Sequence, residues 1–384
     1  MTLAFYAPLK SPDHPTPSGD RRMARALIDA LGRTGQRVAL ACRLRSYDRT
    51  GDARRQQRMQ ALGERCAGKL LRRYRHDHAR PQAWLTYHGY HKAPDWLGPN
   101  VSAALNLPYL LAEASFAPKQ ADGPWALGHR ASERAIRQAD VVIGLTRLDL
   151  ECLAPLITPP AALRYLPPFL DPAPYIAARE ARDRHRGELA VRWAMDRAKP
   201  WLLAVAMMRQ DVKRDSYLLL AAALKAVPER DWQLLVVGDG PARAEIEAAF
   251  APLGAGRVVF TGALAESDLP ACYAAADLCV WPAVCEAYGV AMLEAQAAGL
   301  PVVAGREYGV ADVVQHDLTG ILTPPRDVRA FAQAIGALLD DADRRRLMAQ
   351  NAWRFVAEHR SIAHAVDVLA AALRDAEAIR AARS

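Results

Sequence analysis

The chain has 384 residues, 51% of them hydrophobic, with 50 Lys+Arg against 42 Asp+Glu and a formal charge of +8. That length suits two domains of ~100–200 residues each with sizeable cores, so disordered, collagen-like and disulfide-stapled classes are excluded. The surplus charge is local: residues 43–80 hold 12 basic and 4 acidic side chains, leaving 38 of each elsewhere.

In chain order, the first half alternates apolar runs with helical patterns. Strands are predicted at 3–7, 37–42, 83–87, 107–112 and 141–145, and helices at 21–33, 53–74 and 132–138. Alternation of this kind predicts a parallel sheet covered on both faces. The run PPFLDPAP at 167–174 continues neither a helix nor a central strand, and polar helix follows it to Lys199. The second half repeats the pattern, with strands at 201–206, 233–237, 258–261, 278–281 and 301–304 and helices at 216–226, 242–251, 266–275 and 290–298. The expected division is a first domain over 1–166, a linker and polar helix over 167–199, a second domain over 200–360, and a C-terminal helix over 361–384 packing back towards the first domain. The fold class is α/β, two doubly wound Rossmann-like domains with a ligand cleft at the strands' carboxyl ends.

The six cysteines, Cys42, Cys66, Cys152, Cys272, Cys279 and Cys285, contain no Cys-x-x-Cys pair, so neither a zinc site nor a disulfide framework is expected. The first residues, MTLAFYAPLKSPDHP, lack a basic n-region and a long apolar core, and no run of ~18 apolar residues occurs. A cytoplasmic location is therefore expected.

The most specific chemistry lies at 281–304, WPAVCEAYGVAMLEAQAAGLPVVA. A strand ends at Trp281, a turn carries Glu286, and a helix beginning near Gly289 carries Glu294. Free N–H groups around Tyr288, Gly289 and Val290, with the positive end of the helix, suit a diphosphate. Glu294, if buried, needs hydroxyl partners such as a ribose provides, and Glu286 is placed to accept from a transferred sugar. Without their context, two such glutamates read as solvated surface acids.

This segment resembles the signature of the retaining glycosyltransferases of family 4, the group 1 glycosyltransferases: Glu, seven residues, Glu, an Ala- and Gly-rich helix end, and a Pro-Val-Val strand. VVGDGP at 236–241, FTGAL at 260–264, AAAD at 274–277 and DLTGILTPPRD at 317–327 extend the similarity over 201–355, and the first half resembles the family loosely. The resemblance implies the GT-B fold and transfer of a sugar from a nucleoside-diphosphate sugar with retention of configuration. It assigns the donor sugar to Glu286, the ribose to Glu294 and the nucleotide pocket to Gly238. The diphosphate falls to Arg209 and to Lys213 or Arg214, of which Lys213 is preferred. Gly19 falls at the family's Gly-Gly loop, and Ser18 reads equally as a helix N-cap. Where many relatives carry a first-domain His this chain has Ala114, so Glu113, Ser115, His88 and His91 become the acceptor-side candidates.

No cofactor and no metal are expected, since Arg and Lys can neutralise the departing diphosphate. The helix at 53–74 places Met59, Leu62, Cys66, Leu70 and Tyr74 on one side and its cations elsewhere. Residues 54–75 therefore read either as a solvated helix face or as a peripheral contact with the anionic inner face of a membrane. No nucleic-acid motif accompanies the charge. Expected partners are a nucleotide sugar and a saccharide or lipid-linked acceptor. The alternatives are a nucleotide-sugar epimerase or hydrolase on the same fold, or a nonenzymatic nucleotide-sugar-binding protein.

Overall fold

A computed structural model describes residues 2–16, 18–76, 80–159, 161–227 and 230–383, the side chain of residue 76 excepted. The chain forms two compact units: unit 1 comprises 1–167 and 362–384, and unit 2 comprises 168–361.

Unit 1 is built on six strands, β1 (Thr2–Tyr6), β2 (Arg37–Cys42), β3 (Ala83–Tyr87), β4 (Tyr109–Ala112), β5 (Val141–Gly144) and β6 (Ala162–Tyr165), in the order β2-β1-β3-β4-β5-β6. Every pairing is parallel. β3, β4 and β5 are buried at every residue, as the uninterrupted apolar runs require of strands covered on both faces. Unit 2 holds β7 (Trp201–Val205), β8 (Gln233–Val237), β9 (Val258–Gly262), β10 (Leu278–Trp281), β11 (Val302–Gly305) and β12 (Gly320–Thr323), ordered β12-β11-β10-β7-β8-β9 and again parallel. Both sheets reverse direction beside their first strand, between β1 and β3 in unit 1 and between β7 and β10 in unit 2. Loops leaving the strands on either side of such a reversal diverge and open a crevice at the carboxyl edge.

Two edge strands, β6 and β12, were not expected from the sequence. Each has four residues, β6 is half-exposed, and β12 opens on Gly320, so neither shows a buried apolar run. The helix predicted at 132–138 begins earlier, at Ala126, and short helices at Gly98–Leu105 and Arg147–Leu153 are additional.

The 167–199 segment lies inside unit 2 except for its first residue. It forms helices Ala173–Glu180 and Arg182–Trp193 rather than a free linker. Arg182 and Arg186 hold it in place by donating to Asp277 and to the carbonyls of Ala274, Ala275 and Ala276, at the buried C-terminal end of helix Leu269–Ala275. Guanidinium groups there satisfy carbonyls without helical partners. The final helix, Ile362–Arg383, belongs to unit 1. Arg380 and Arg383 donate to Asp140, which is fully buried and also accepts the Tyr109 backbone N–H.

The basic helix runs Ala53–His76. Its buried side is Gln56, Gly63, Ala67, Leu70 and Tyr74, so the predicted inward stripe is corrected: Leu62 is exposed and Met59 and Cys66 are half-buried. Gly63, where a β-carbon would stand 2.3 Å from Trp96 Cβ, lets the helix seat close against Trp96 and helix Gly98–Leu105, which leaves Leu62 outward with Arg58, Arg65, Lys69 and Arg72, all exposed. Among the described residues no helix is long and apolar enough to cross a membrane.

Candidate active site

The reversal point of unit 2 gathers the acidic and basic candidates from three elements. After β7, Asp211 caps the helix Val212–Lys225 by accepting from the Lys213 backbone N–H at 2.9 Å, and its other oxygen meets Arg209 Nε at 3.0 Å. One turn along, the Ser216 hydroxyl accepts the Val284 N–H at 3.0 Å, tying this helix to the turn after β10. That turn holds Ala283 and Cys285 at φ 58° and 51°, a left-handed backbone that costs non-glycine residues of order 1–3 kcal/mol each. It delivers the Glu286 carboxylate to Lys213 Nζ, and Trp281 Nε1 donates to the same oxygen at 3.3 Å. Lys213 Nζ also lies 5.5 Å from the centre of the Trp281 ring. Arg214 points elsewhere, to Asp215 at 3.0 Å and Glu245 at 3.9 Å. The structure thus brings Lys213, not Arg214, to Glu286.

Gly289 is the N-cap of helix Val290–Ala297 at φ +74°, and a β-carbon there would meet Met292 Cε at 2.1 Å and Glu286 Cγ at 3.3 Å. Tyr288 is buried beside it, and Val290 opens the helix. Glu294 is 1% exposed and accepts from the Tyr273 hydroxyl at 2.8 Å. Burial, with the Glu294 carboxyl beside it, pushes the Cys279 thiol up to about 12. Gly238 has φ 149°, and a β-carbon would stand 1.9 Å from the Ala206 carbonyl oxygen, so glycine is what lets the ends of β7 and β8 touch. Neither Tyr273 nor Trp281 was a candidate from sequence. The signal for Tyr273 was its place in CYAAAD, immediately before the AAAD motif.

The reversal point of unit 1 holds a second cluster. His88 follows β3, Glu113 follows β4, and Asp20 lies in the first turn of helix Gly19–Arg33. His88 Nδ1 lies 3.1 Å from Asp20 Oδ1 and 3.4 Å from Glu113 Oε1. Both strand-end residues adopt left-handed backbone, φ 60° at His88 and 54° at Glu113. Burial opposes the charged ring, but Glu113 and Asp20 outweigh it and raise His88 to about 9, so at neutral pH it is an imidazolium and a hydrogen-bond donor. Burial raises the Glu113 carboxyl, which His88 partly offsets, and His88 holds Asp20 below its ordinary value against burial. Asp20 was not anticipated, because its partners lie 68 and 93 positions away in the chain. His91 is not part of this cluster; its ring lies against Tyr90 and Trp125. Ala114 is fully buried in the apolar core, and Ser115 is half-buried. Ser18 caps the first-unit helix by accepting the Arg21 N–H at 3.2 Å, and Gly19 has open space around it.

Residues 199–341 match the family described as Glycosyl transferases group 1. The chain is 32% identical over 206 residues to the alpha-D-kanosaminyltransferase of Streptomyces kanamyceticus, covering 52% of this chain and 53% of that one. It is 34% identical over 220 residues to the GDP-mannose-dependent alpha-(1-6)-phosphatidylinositol monomannoside mannosyltransferase of Mycobacterium tuberculosis, covering 53% and 54%. The chain thus spans about half the length of the curated relatives it matches. Among solved structures, Anabaena HepE in complex with UDP superposes with a TM-score of 0.73 at 18% identity over 97% of this chain and 100% of that one. At that identity the likeness shows the fold, two Rossmann-like domains of the GT-B class. The chain carries that fold, and its residues 199–341 are similar to the group 1 glycosyltransferase family.

Proposed function

We propose that the chain is a retaining glycosyltransferase that moves a sugar from a nucleoside-diphosphate sugar to an acceptor hydroxyl in glycan, lipid-linked saccharide or glycoconjugate synthesis. The observation that carries this reading is the convergence, at one sheet reversal, of the Lys213–Glu286 pair, buried Glu294 with Tyr273, and the start of helix Val290–Ala297. In this reading the diphosphate binds at the helix start, with Arg209 and Lys213 neutralising the charge that grows as the glycosidic C–O bond breaks. Lys213 has three donor protons, so its bond to Glu286 leaves donors for phosphate oxygens. Glu294, oriented by Tyr273, accepts from the ribose. Glu286, fixed by Lys213 and Trp281, accepts from hydroxyls of the transferred sugar. The acceptor oxygen forms its bond on the face the diphosphate leaves, and its proton passes to the departing phosphate oxygen, which gives retention without a protein base. No metal enters this scheme.

Unit 1 supplies the acceptor side. His88, charged at neutral pH, donates to an acceptor or sugar oxygen, and Glu113 and Asp20 hold it in that state. Arg58, Arg65, Lys69 and Arg72 are read as a peripheral contact with an anionic membrane from the cytoplasmic side.

Thermal shift with a panel of nucleotides and nucleotide sugars tests the donor site, and NMR of the product's anomeric proton tests retention. Glu294→Gln is expected to weaken nucleotide binding about tenfold or more, as befits loss of a charged acceptor, while Glu286→Gln chiefly slows transfer. Unchanged binding and turnover in both variants would overturn the assignment. Nucleotide-sugar consumption at equal rates with and without acceptors would favour a hydrolase instead.

A further inference from the structure

Five rings run in a row at the carboxyl edge of β3 and β4: Tyr87, His88, Tyr90, His91 and Trp125, with successive centroids 5.8, 5.3, 5.2 and 5.8 Å apart. One end is the His88 cluster already described. The rest serves no role in the donor chemistry, yet it is held firmly. Tyr90 and Ala93 exchange backbone hydrogen bonds, closing a turn whose two central residues are His91 and Lys92. The Asp48 N–H donates to the Lys92 carbonyl at 2.7 Å, and Trp125 Nε1 donates to the Asp48 carbonyl at 3.0 Å. Buried Gln56 donates to the Pro124 carbonyl and Asp48 and accepts the Gly128 N–H. A β-carbon at Gly128 would stand 2.1 Å from the His91 carbonyl oxygen, so only glycine allows helix Ala126–Gln138 to press against this turn.

The far end of the row is cationic. Lys92 Nζ sits 4.6 Å from the centre of the Trp125 ring, half-exposed, and Lys119 on the following loop is exposed. Among the described residues neither has a carboxylate partner. Burial chiefly, then Lys92, His129 and Lys119, lower the His91 ring to about 4. His129, 4% exposed, leaves Nε2 without a hydrogen bond among the described residues. Rings with polar handles pack against the apolar faces of sugars, and an unpaired ammonium group seeks an anion.

We propose that this row is the acceptor subsite, and that the acceptor is a saccharide or cyclitol carrying a phosphate or carboxylate, its ring against Tyr90 and Trp125 and its anionic group at Lys92 and Lys119. The proposal rests on the glycosyl-transfer reading for the acceptor's role, while binding itself can be measured without a donor.

Saturation-transfer NMR with glucose, glucuronate, glucose 6-phosphate, myo-inositol and myo-inositol 1-phosphate tests it on the wild type, Lys92→Arg and the double variant Lys92→Gln/Lys119→Gln. The anionic compounds are expected to bind at least tenfold more tightly than their neutral counterparts. The double variant is expected to lose that preference, Lys92→Arg to keep most of it, and thermal shift by nucleotides to be the same in all three. Equal binding of neutral and anionic compounds, or a double variant that keeps the preference, would overturn the proposal. The phosphate and carboxylate arms identify the anion. Anion-dependent binding in a chain that no nucleotide stabilises would sink the transfer reading and leave the subsite standing. Nucleotide binding without any anion preference would do the reverse.

Discussion

Replacing Asp20 with Asn removes one of the two carboxylates that face His88. In the native chain the ring titrates near 9 rather than 6.5, against the effect of burial, because Glu113 and Asp20 lie beside Nδ1. That difference of about 2.5 pH units corresponds to about 3 kcal/mol in favour of the imidazolium, at 1.36 kcal/mol per unit. Asp20 contributes the closer contact, leaving Glu113 and the weaker Asp149, so the amide is expected to lower the midpoint by about one pH unit. Long-range proton–nitrogen NMR of the imidazole between pH 5 and 10 reads this directly, with His88→Gln identifying the resonance. Stability follows the same sign. A raised histidine pKa contributes fully below the unfolded value near 6.5 and fades as pH rises through the folded value near 9. The urea midpoint of the native chain should therefore decline between about pH 7 and 9.5, and that of Asp20→Asn at lower pH. A wild-type midpoint at or below 6.5, or one indifferent to Asp20→Asn, would refute the ionic account of the cluster.

Three further outcomes are expected. Lys213→Gln should lower turnover at least tenfold, whereas Arg214→Gln, whose side chain faces Asp215 and Glu245, should change it less than threefold in a coupled assay for released nucleotide. Asp140→Ala should cost about 3–5 kcal/mol in urea unfolding, because it leaves Arg380, Arg383 and the Tyr109 N–H without their buried acceptor, with nucleotide binding unchanged in the folded protein. Changing Arg58, Arg65, Lys69 and Arg72 together to Gln should reduce flotation with anionic liposomes and leave zwitterionic liposomes indifferent, at about 1 kcal/mol per cation near the surface. Equal flotation of variant and wild type would make the stripe a solvated face.

The central strands were legible because burial on both sides leaves an uninterrupted apolar run, as in Val141–Gly144. β12 was not, because Gly-Ile-Leu-Thr at a sheet edge carries no such run. At the site, Glu286 and Glu294 stood out through the motif around them rather than their spacing alone, and that motif is local to one turn and one helix, a relation that sequence displays. Their partners did not, since Tyr273 reaches Glu294 from a different helix and Lys213 reaches Glu286 from 73 residues away. His88 was visible as a strand-end histidine, but the charge that sets its chemistry comes from Asp20 and Glu113, which meet only when the sheet reverses beside β1. The basic helix shows the opposite error. Counting apolar residues put Leu62 inside, while the packed side is chosen by small residues that permit close approach.

The membership of the last helix in unit 1 bears on the order in which the chain can fold. Unit 2 is one uninterrupted stretch, 168–361, whose ends are stitched together where the Leu170 N–H donates to the Arg360 carbonyl at 3.0 Å. It has all its parts once residue 361 has been synthesised. Unit 1 does not: its sheet is made first, but Asp140 waits in the core for Arg380 and Arg383, which follow it by 240 and 243 residues. During synthesis, then, the half that is translated first completes after the other, with a buried acid lacking its guanidinium partners as its open seam until helix Ile362–Arg383 closes it.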